Sequence, residues 1–383
     1  MVVTRVWCGA AVRLLAGAFV VVTTAAAQRS AWPESGSHVY RGAIALDKGQ
    51  LAVQMSLRLP KVVEHGEVPA VSGEYRYEKR GRGLRLVGDA IGERGELELR
   101  EHERTDDGSD GAATGRWVGK LDAGARHFTG TWHAADGRTT HRFALELVAV
   151  ERTITSEQPF GPKREQQVLV LLAKHPLASA VNAAMQQSLL EFAAAPVAVD
   201  DEPTWQEFRD VQDGNVSRTP ASLHTDEGVS RWMAYHVGDE LVSLAGLGWE
   251  YAGGAHGNSW PVCMNFVLRD GVATPLRLAD LAVDERSGPQ LFELLRDKLR
   301  ELGASGADQL TAEPLDGDRV PPFVVSPAGV VFGFGPYAVG SYAEGHYHAQ
   351  LTWAELRGVL TPPRQLGLTP AKSAVDAAAR GGR

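Results

Sequence analysis

The sequence predicts two domains: an N-terminal all-β meander closed as a small barrel or stacked as a sandwich, then an α+β domain with a mixed or antiparallel sheet and two main helices. Three observations predict this. The length of 383 residues suits two units at about 100–200 residues each. Residues 38–148 hold eight short alternating segments separated by Gly or Asp turns, the spacing of an all-β meander. Beyond residue 164, strand-like runs are interleaved with two stretches of helical periodicity.

The chain begins with an export signal. Arg5 and Arg13 supply the basic region, Leu14 to Val22 an uncharged apolar run, and Ala25-Ala26-Ala27 a small-residue cleavage pattern with Gln28 as the mature start. The apolar run is far short of the ~20 residues a spanning helix needs, so cleavage near Ala27 and a periplasmic or secreted location are expected, with no membrane attachment afterwards. Cys8 lacks a preceding Leu-Ala-Gly, so a lipoprotein is not expected. Cleavage leaves Cys263 alone. It sits within an alternating strand and has no basic neighbour to lower its pKa, so it reads as a packing residue.

The first domain, 28–149, contains candidate strands at 38–47, 51–59, 70–79, 84–90, 96–103, 114–121, 126–132 and 139–148. Gly73-Glu-Tyr75, Gly115-Arg-Trp117 and Gly130-Thr-Trp132 each put Gly and an aromatic on one face of a strand. Residues 150–163 read as a linker or first edge strand. The second domain, 164–361, opens with a buried strand at 167–173. A helix over 177–195 follows, with Leu177, Val181, Ala184, Met185, Leu189 and Phe192 on one side. Strands are expected at 229–237, 241–251, 262–269 and 272–278. A second helix is expected over 289–302, with Ser287 as cap and Gly303 as stop. The run 323–334 reads as strand broken at Pro327, and 345–352 as a last strand. Thr352-Trp-Ala-Glu355 has the pattern of a capping box for a short helix ending near Leu360. Residues 362–383 lack aromatics and apolar periodicity and read as a disordered tail.

Composition excludes several classes. Hydrophobic residues make up 44% and charged residues 22%, which is neither collagen-like nor wholly disordered. The net charge of -8 is the wrong sign for nucleic acid. Charge is also uneven: residues 151–361 carry 15 basic and 28 acidic side chains, net -13, whereas 28–150 balance at 18 and 18. That is either a solvated surface or a docking field for a cationic partner.

Gly253-Gly254-Ala-His256-Gly follows an aromatic strand. Some eighty residues on comes Phe332-Gly-Phe-Gly-Pro-Tyr337-Ala-Val-Gly-Ser-Tyr342-Ala-Glu344-Gly, then His346, a strand and Leu351-Thr-Trp-Ala-Glu. In this order the motifs resemble the extracytoplasmic C-terminal domain of RsiV-type anti-sigma factors, over residues 165–360. The same domain accompanies some cell-wall polysaccharide deacetylases. The resemblance implies a protein-binding or wall-related role, since that domain of RsiV-type proteins binds lysozyme. The sequence carries no anti-sigma segment and no deacetylase domain, so neither activity is implied.

The candidate binding residues are Gly253, Gly254, His256, Tyr337, Tyr342, Glu344 and His346. The glycines suit a turn or bulge, after which His256 either braces the loop or meets a ligand. Tyr337 and Tyr342 are either corner packing or exposed anchors. His346 and His348 share a strand face and supply two ligands of the three or four zinc requires. His256 is a third only if the fold brings it near, so no metal and no cofactor are expected. No Gly-x-Ser-x-Gly elbow, His-Glu-x-x-His or phosphate loop is present. The leading expectation is an exported, non-enzymatic binding protein of the envelope that recognises a cationic protein such as lysozyme, or a cell-wall glycan. One rival is a peptidoglycan hydrolase or deacetylase using His256 with a nearby acid; another is a structural envelope protein.

Overall fold

The computed structural model describes residues 36–59, 70–77, 83–89, 91–92, 94–104, 110–156, 164–194, 225–252, 256–317 and 319–366. The expected signal segment, residues 157–163 of the expected linker, Gly253, Gly254 and residues 367–383 of the expected tail lie outside them. No described helix is long and apolar enough to cross a membrane.

Eight strands come first: β1 Gly36–Ala45, β2 Gln50–Leu59, β3 Ser72–Tyr77, β4 Gly83–Gly88, β5 Glu96–Arg104, β6 Asp110–Leu121, β7 His127–Ala134 and β8 Thr140–Ser156. Each pairs antiparallel with the next. β1 also pairs with β8, Gly42 opposite Leu145 and Ile44 opposite Phe143, so the meander is a closed barrel and not a sandwich. Closure leaves no sheet edge to pair with strangers.

Alternation fills the barrel. Along β5, Leu97, Leu99 and Glu101 are buried while Glu98 and Arg100 face water. The interior carries a chain of edge-to-face and tilted rings: Tyr75 on Trp117 (5.1 Å between centroids), Trp117 on Phe143 (4.8 Å) and Phe143 on Phe128 (4.8 Å). The Gly-x-Trp pattern has a steric cause. A methyl on Gly130 would run into the Val118 carbonyl oxygen and lie 2.5 Å from Gly119 Cα. β6 and β7 therefore approach without side chains at this point, and large rings occupy the space.

An acidic side chain, Glu101, lies inside the barrel. Glu101 accepts hydrogen bonds from Thr114 Oγ1 (2.7 Å), Trp117 Nε1 (3.2 Å) and Trp132 Nε1 (2.9 Å). A buried carboxylate is costly unless donors surround it, and here three side chains from β6 and β7 converge on it.

β8 overruns the end at 148 that alternation predicts. Residues 150–156, expected in the linker, extend it, and Ala149 to Ser156 pair antiparallel with β9 (Arg164–Leu171). Helix α1 (Ala178–Ala194) follows and buries Val181 and Met185. Asn182 ties it to β9, accepting the Leu171 N–H (2.9 Å) and donating to the Leu171 carbonyl (3.0 Å). β10 (Thr225–Val237) meets β9 through one parallel pair, Arg231 with Gln167. It then starts an antiparallel meander with β11 (Leu241–Ala252), β12 (Asn258–Arg269) and β13 (Val272–Pro275).

Helix α2 (Ser287–Glu301) packs Leu291, Leu295 and Leu299 against a second small sheet: β14 (Phe323–Ser326), β15 (Gly329–Phe334) and β16 (Tyr347–Thr352). Pro327 marks the hairpin between β14 and β15, where the sequence predicts a break. Three local expectations need correction. Ser287 is the first helical residue and not the cap; its Oγ accepts the N–H groups of Val283 and Asp284 from the preceding turn. The capping box forms, with Thr352 N–H on Glu355 Oε2 and Glu355 N–H on Thr352 Oγ1, but it opens a run of turns rather than a regular helix. The tail is docked as far as Leu366, because Gln365 Nε2 donates to the Leu268 carbonyl.

Glu101→Leu removes the acceptor and strands the Trp117 and Trp132 indole N–H groups inside the barrel. The variant is expected to lose about 2–4 kcal/mol of stability, from one to two unpaired buried donors, read from chemical denaturation. A variant as stable as the wild type would show that the donors find other partners.

Candidate functional site

The two motif-bearing segments meet at one end of the β11–β12 pair. β15 leaves the small sheet directly across the start of β12. A Cβ on Gly335 would lie 2.7 Å from the Ser259 carbonyl oxygen, and one on Gly333 would lie 2.7 Å from Pro261 Cβ. The glycines of Phe332-Gly-Phe-Gly-Pro are thus there for the close approach, which delivers the loop carrying Tyr337 and Tyr342 beside His256.

The imidazole of His256 lies on the ring of Tyr342, centroids 3.8 Å apart and planes within 20°. His256 Nδ1 faces the Gly257 carbonyl oxygen at 3.0 Å, and Tyr342 Oη donates to the same oxygen at 3.1 Å. Tyr337 packs obliquely on Tyr342 at 5.6 Å. A fourth ring was not among the sequence-derived candidates. Trp249, opposite Ser259 in the β11–β12 register, lies over Gly257, where an added Cβ would come within 2.7 Å of the indole. Trp249, Tyr337 and Tyr342 are 39%, 61% and 37% exposed, and His256 is exposed as well. The result is a ledge of aromatic rings open to solvent.

Tyr337 holds φ at +67°, a left-handed conformation that is an outlier for a bulky residue. It costs roughly 1–2 kcal/mol. The strain thus falls on an exposed aromatic ring, and strain of this kind tends to cluster at functional sites.

Glu344 does not line the ledge; it holds the ledge loop in place. Its carboxylate accepts from the Ser341 N–H (2.7 Å), the Ser305 N–H (3.0 Å) and Oγ (2.7 Å), and Tyr347 Oη (2.8 Å). These hydrogen bonds, the Ser305 amide foremost, keep the carboxyl well below its ordinary range. The loop is thereby tied to the turn that follows α2. His346 precedes β16 instead of lying on it, and its Nε2 is 3.1 Å from Ser259 Oγ. His348 is exposed on β16.

Among the described residues, no carboxylate hydrogen-bonds the imidazole of His256 or His346. No group of three His, Cys, Asp or Glu side chains is placed to hold a metal. The arrangement can stack on a flat or cationic group; an acid–base relay would need a partner for the imidazole. Cys263 is half-buried, and burial pushes its thiol up to about 12, the opposite of an activated nucleophile. His256, Tyr337 and Tyr342 converge directly, His346 contacts Ser259 on the neighbouring β12, and Glu344 braces the loop from behind.

Solved structures similar to this chain include two from one domain family. One is a member of the DUF3298 family from Bacteroides fragilis NCTC 9343, at 17% identity over 57% of this chain and 94% of that one, with a TM-score of 0.41. The other is a DUF3298 family protein from Pseudomonas aeruginosa PAO1, at 18% identity over 58% of this chain and 97% of that one, with a TM-score of 0.35. These structure neighbours belong to a domain family of unknown function. No protein-family model and no curated protein matches the chain.

Two outcomes test the site's construction. Tyr337→Gly relieves the left-handed strain, so thermal melting should show a gain of up to about 1 kcal/mol, reduced by the backbone entropy of glycine. A clear loss would show that the ring's packing outweighs its backbone cost. Glu344→Gln should lower the melting temperature at neutral pH. The contribution of a carboxylate with a depressed folded pKa is full above its unfolded value near 4.5 and fades as pH falls through the lower folded value. The gap between variant and wild type should therefore shrink in melts run progressively below pH ~4.5. A gap independent of pH would mean the carboxylate's charge does not matter.

Proposed function

We propose that this is an exported, non-enzymatic binding protein of the cell envelope, and that the ledge of Trp249, His256, Tyr337 and Tyr342 engages its ligand. The observation that carries this reading is Tyr337: a largely exposed aromatic ring held on a strained backbone and backed by two more rings. Aromatic anchors in a pre-formed surface are the residues that dominate binding energy at interfaces. Strain and a four-fold carboxylate clamp pre-organise this one, which lowers the ordering cost of association.

The ligand class follows from charge. Tyrosine and tryptophan faces attract Lys and Arg side chains, and residues 151–361 carry a net -13. A cationic protein surface is steered toward such a field. Lysozyme is the specific candidate that the resemblance to RsiV-type domains suggests. The amino-terminal signal pattern supports a location outside the cytoplasm, where such a partner is met.

Calorimetric titration of the mature protein with a purified lysozyme tests this. Binding is expected at micromolar concentrations, weaker at ~0.15 M than at ~0.01 M salt, as screening of the acidic field requires. Tyr337→Ala should weaken it about tenfold or more, the size of a hot-spot truncation. Absence of binding at either salt removes the lysozyme assignment. Binding that Tyr337→Ala leaves unchanged removes the ledge.

A further inference from the structure

A second group of polar side chains lies away from the ledge, where the outer wall of the barrel is covered by the β10–β11 turn. Wall residues normally face water, yet Arg41 on β1 is 3% exposed and pairs with Asp239 in the turn at 2.8 Å. Gln54 on β2 is buried. Its Oε1 accepts the Val237 N–H (2.8 Å), and its Nε2 lies 3.4 Å from the carbonyls of Ala234 and Tyr235. Arg76 on β3 stacks over the Tyr235 ring at 4.5 Å and pairs with Glu74. Two histidines share the seam: His236 on β10, 3% exposed, and His175 before α1, whose Nδ1 accepts the Leu177 N–H. A small cavity of about 20 Å³ lies beside His236, lined by Gln54, Arg76, Tyr77, Tyr235 and Ser326.

Both imidazoles at this seam feel the Arg41 cation, and His236 also feels Arg76. Arg41 and Arg76 stand against Asp239 and Glu74, with Tyr77 and Tyr235 uncharged. Burial, then Arg41 and Arg76, push His236 down to about 3. Burial and Arg41 also lower His175, while Asp239 opposes them. Protonating both rings would add two cations beside the buried Arg41 and the mostly buried Arg76, where like charges repel.

Beside the polar seam, β9 and β10 share one parallel pair, and a buried apolar cluster joins Val39 and Ala149 of the barrel to β9, α1, β10 and β11. The barrel is closed by its own β1–β8 ladder, and β10 to β13 form their own meander, so either can keep its strands if the seam parts.

We propose that this seam is a proton-operated latch: protonation of His236 and His175 releases the β10–β13 meander from the barrel wall while both retain their secondary structure. The sign follows from linkage. A histidine depressed in the closed form binds its proton better in the open form, so closure is fully favoured above the ordinary histidine value near 6.5 and is lost progressively below it.

Small-angle scattering of the mature protein, titrated from pH ~8 to ~4.5 across the histidine range, tests the latch. The radius of gyration should rise below pH ~6.5 with far-ultraviolet circular dichroism unchanged, and His236→Gln should abolish the rise. Asp239→Asn removes the anion that opposes the lowering of His175 and should move the midpoint to higher pH. A radius flat to the end of the titration, a rise retained in His236→Gln, or a rise accompanied by loss of secondary structure each overturns the proposal. If His236→Gln fails to fold at pH ~8, the Asp239→Asn arm decides: a midpoint unmoved or lowered also overturns it.

Discussion

β8 is used twice, and the rest of the molecule is arranged around that double use. Its first part hydrogen-bonds to β1 and closes the barrel; its second part hydrogen-bonds to β9 and starts everything that follows. Ala149 and Val150 belong to both ladders, opposite Val39 and His38 on β1 and Leu171 and Val170 on β9. The β1–β8 register slips between Val39 and Tyr40, an irregularity that bends a strand and re-aims its side chains. Below the slip, Tyr40 points inward, its Oη donating to the Ala125 carbonyl. Val39 packs outward into the apolar cluster shared with α1 and β10. A wall built only to face water would have needed neither Val39 nor a buried Arg41.

The ledge rests on a different constraint, the crossing of β15 over β12. Two glycines permit it, and Asn265 and Ser243 brace it from the sheet side: Asn265 Nδ2 donates to the Phe323 carbonyl, and Ser243 Oγ accepts the Val325 N–H. On the far side, the Glu344 carboxylate holds the loop to the turn after α2. The rings are thus carried by a loop pinned at both ends, which fits a surface whose shape is set before any ligand arrives.

Much of the fold was legible because the signal is periodic. Alternation located all eight barrel strands, and the 3.6-residue rhythm located both helices within two residues. What failed did so for identifiable reasons. The burial of Arg41 and Gln54 was not legible at all, since only the tertiary cover makes these wall residues interior. The end of β8 was misplaced because residues 150–156 are polar and pair at an outer edge. Ser287 looked like a cap since hydroxyls cap helices by accepting amides; it does accept two, but from the turn before the helix. In the candidate site, the structure brings the motif residues His256, Tyr337 and Tyr342 together, and Glu344 braces their loop. Trp249, Ser259 and Ser305 were missed, because nothing local marks a residue that matters only through its neighbour across a strand or a turn. The β11–β12 register, once drawn, would have placed Trp249 beside Ser259.

Barrel closure has a consequence for the order in which the chain can acquire structure. Ile44 cannot pair with Phe143 until the whole eighth strand exists, so the first seven strands remain an open ribbon with two unsatisfied borders during synthesis. Such long-range closure is slow. The aromatic interior of the barrel is therefore sealed only when the last of its strands is in place.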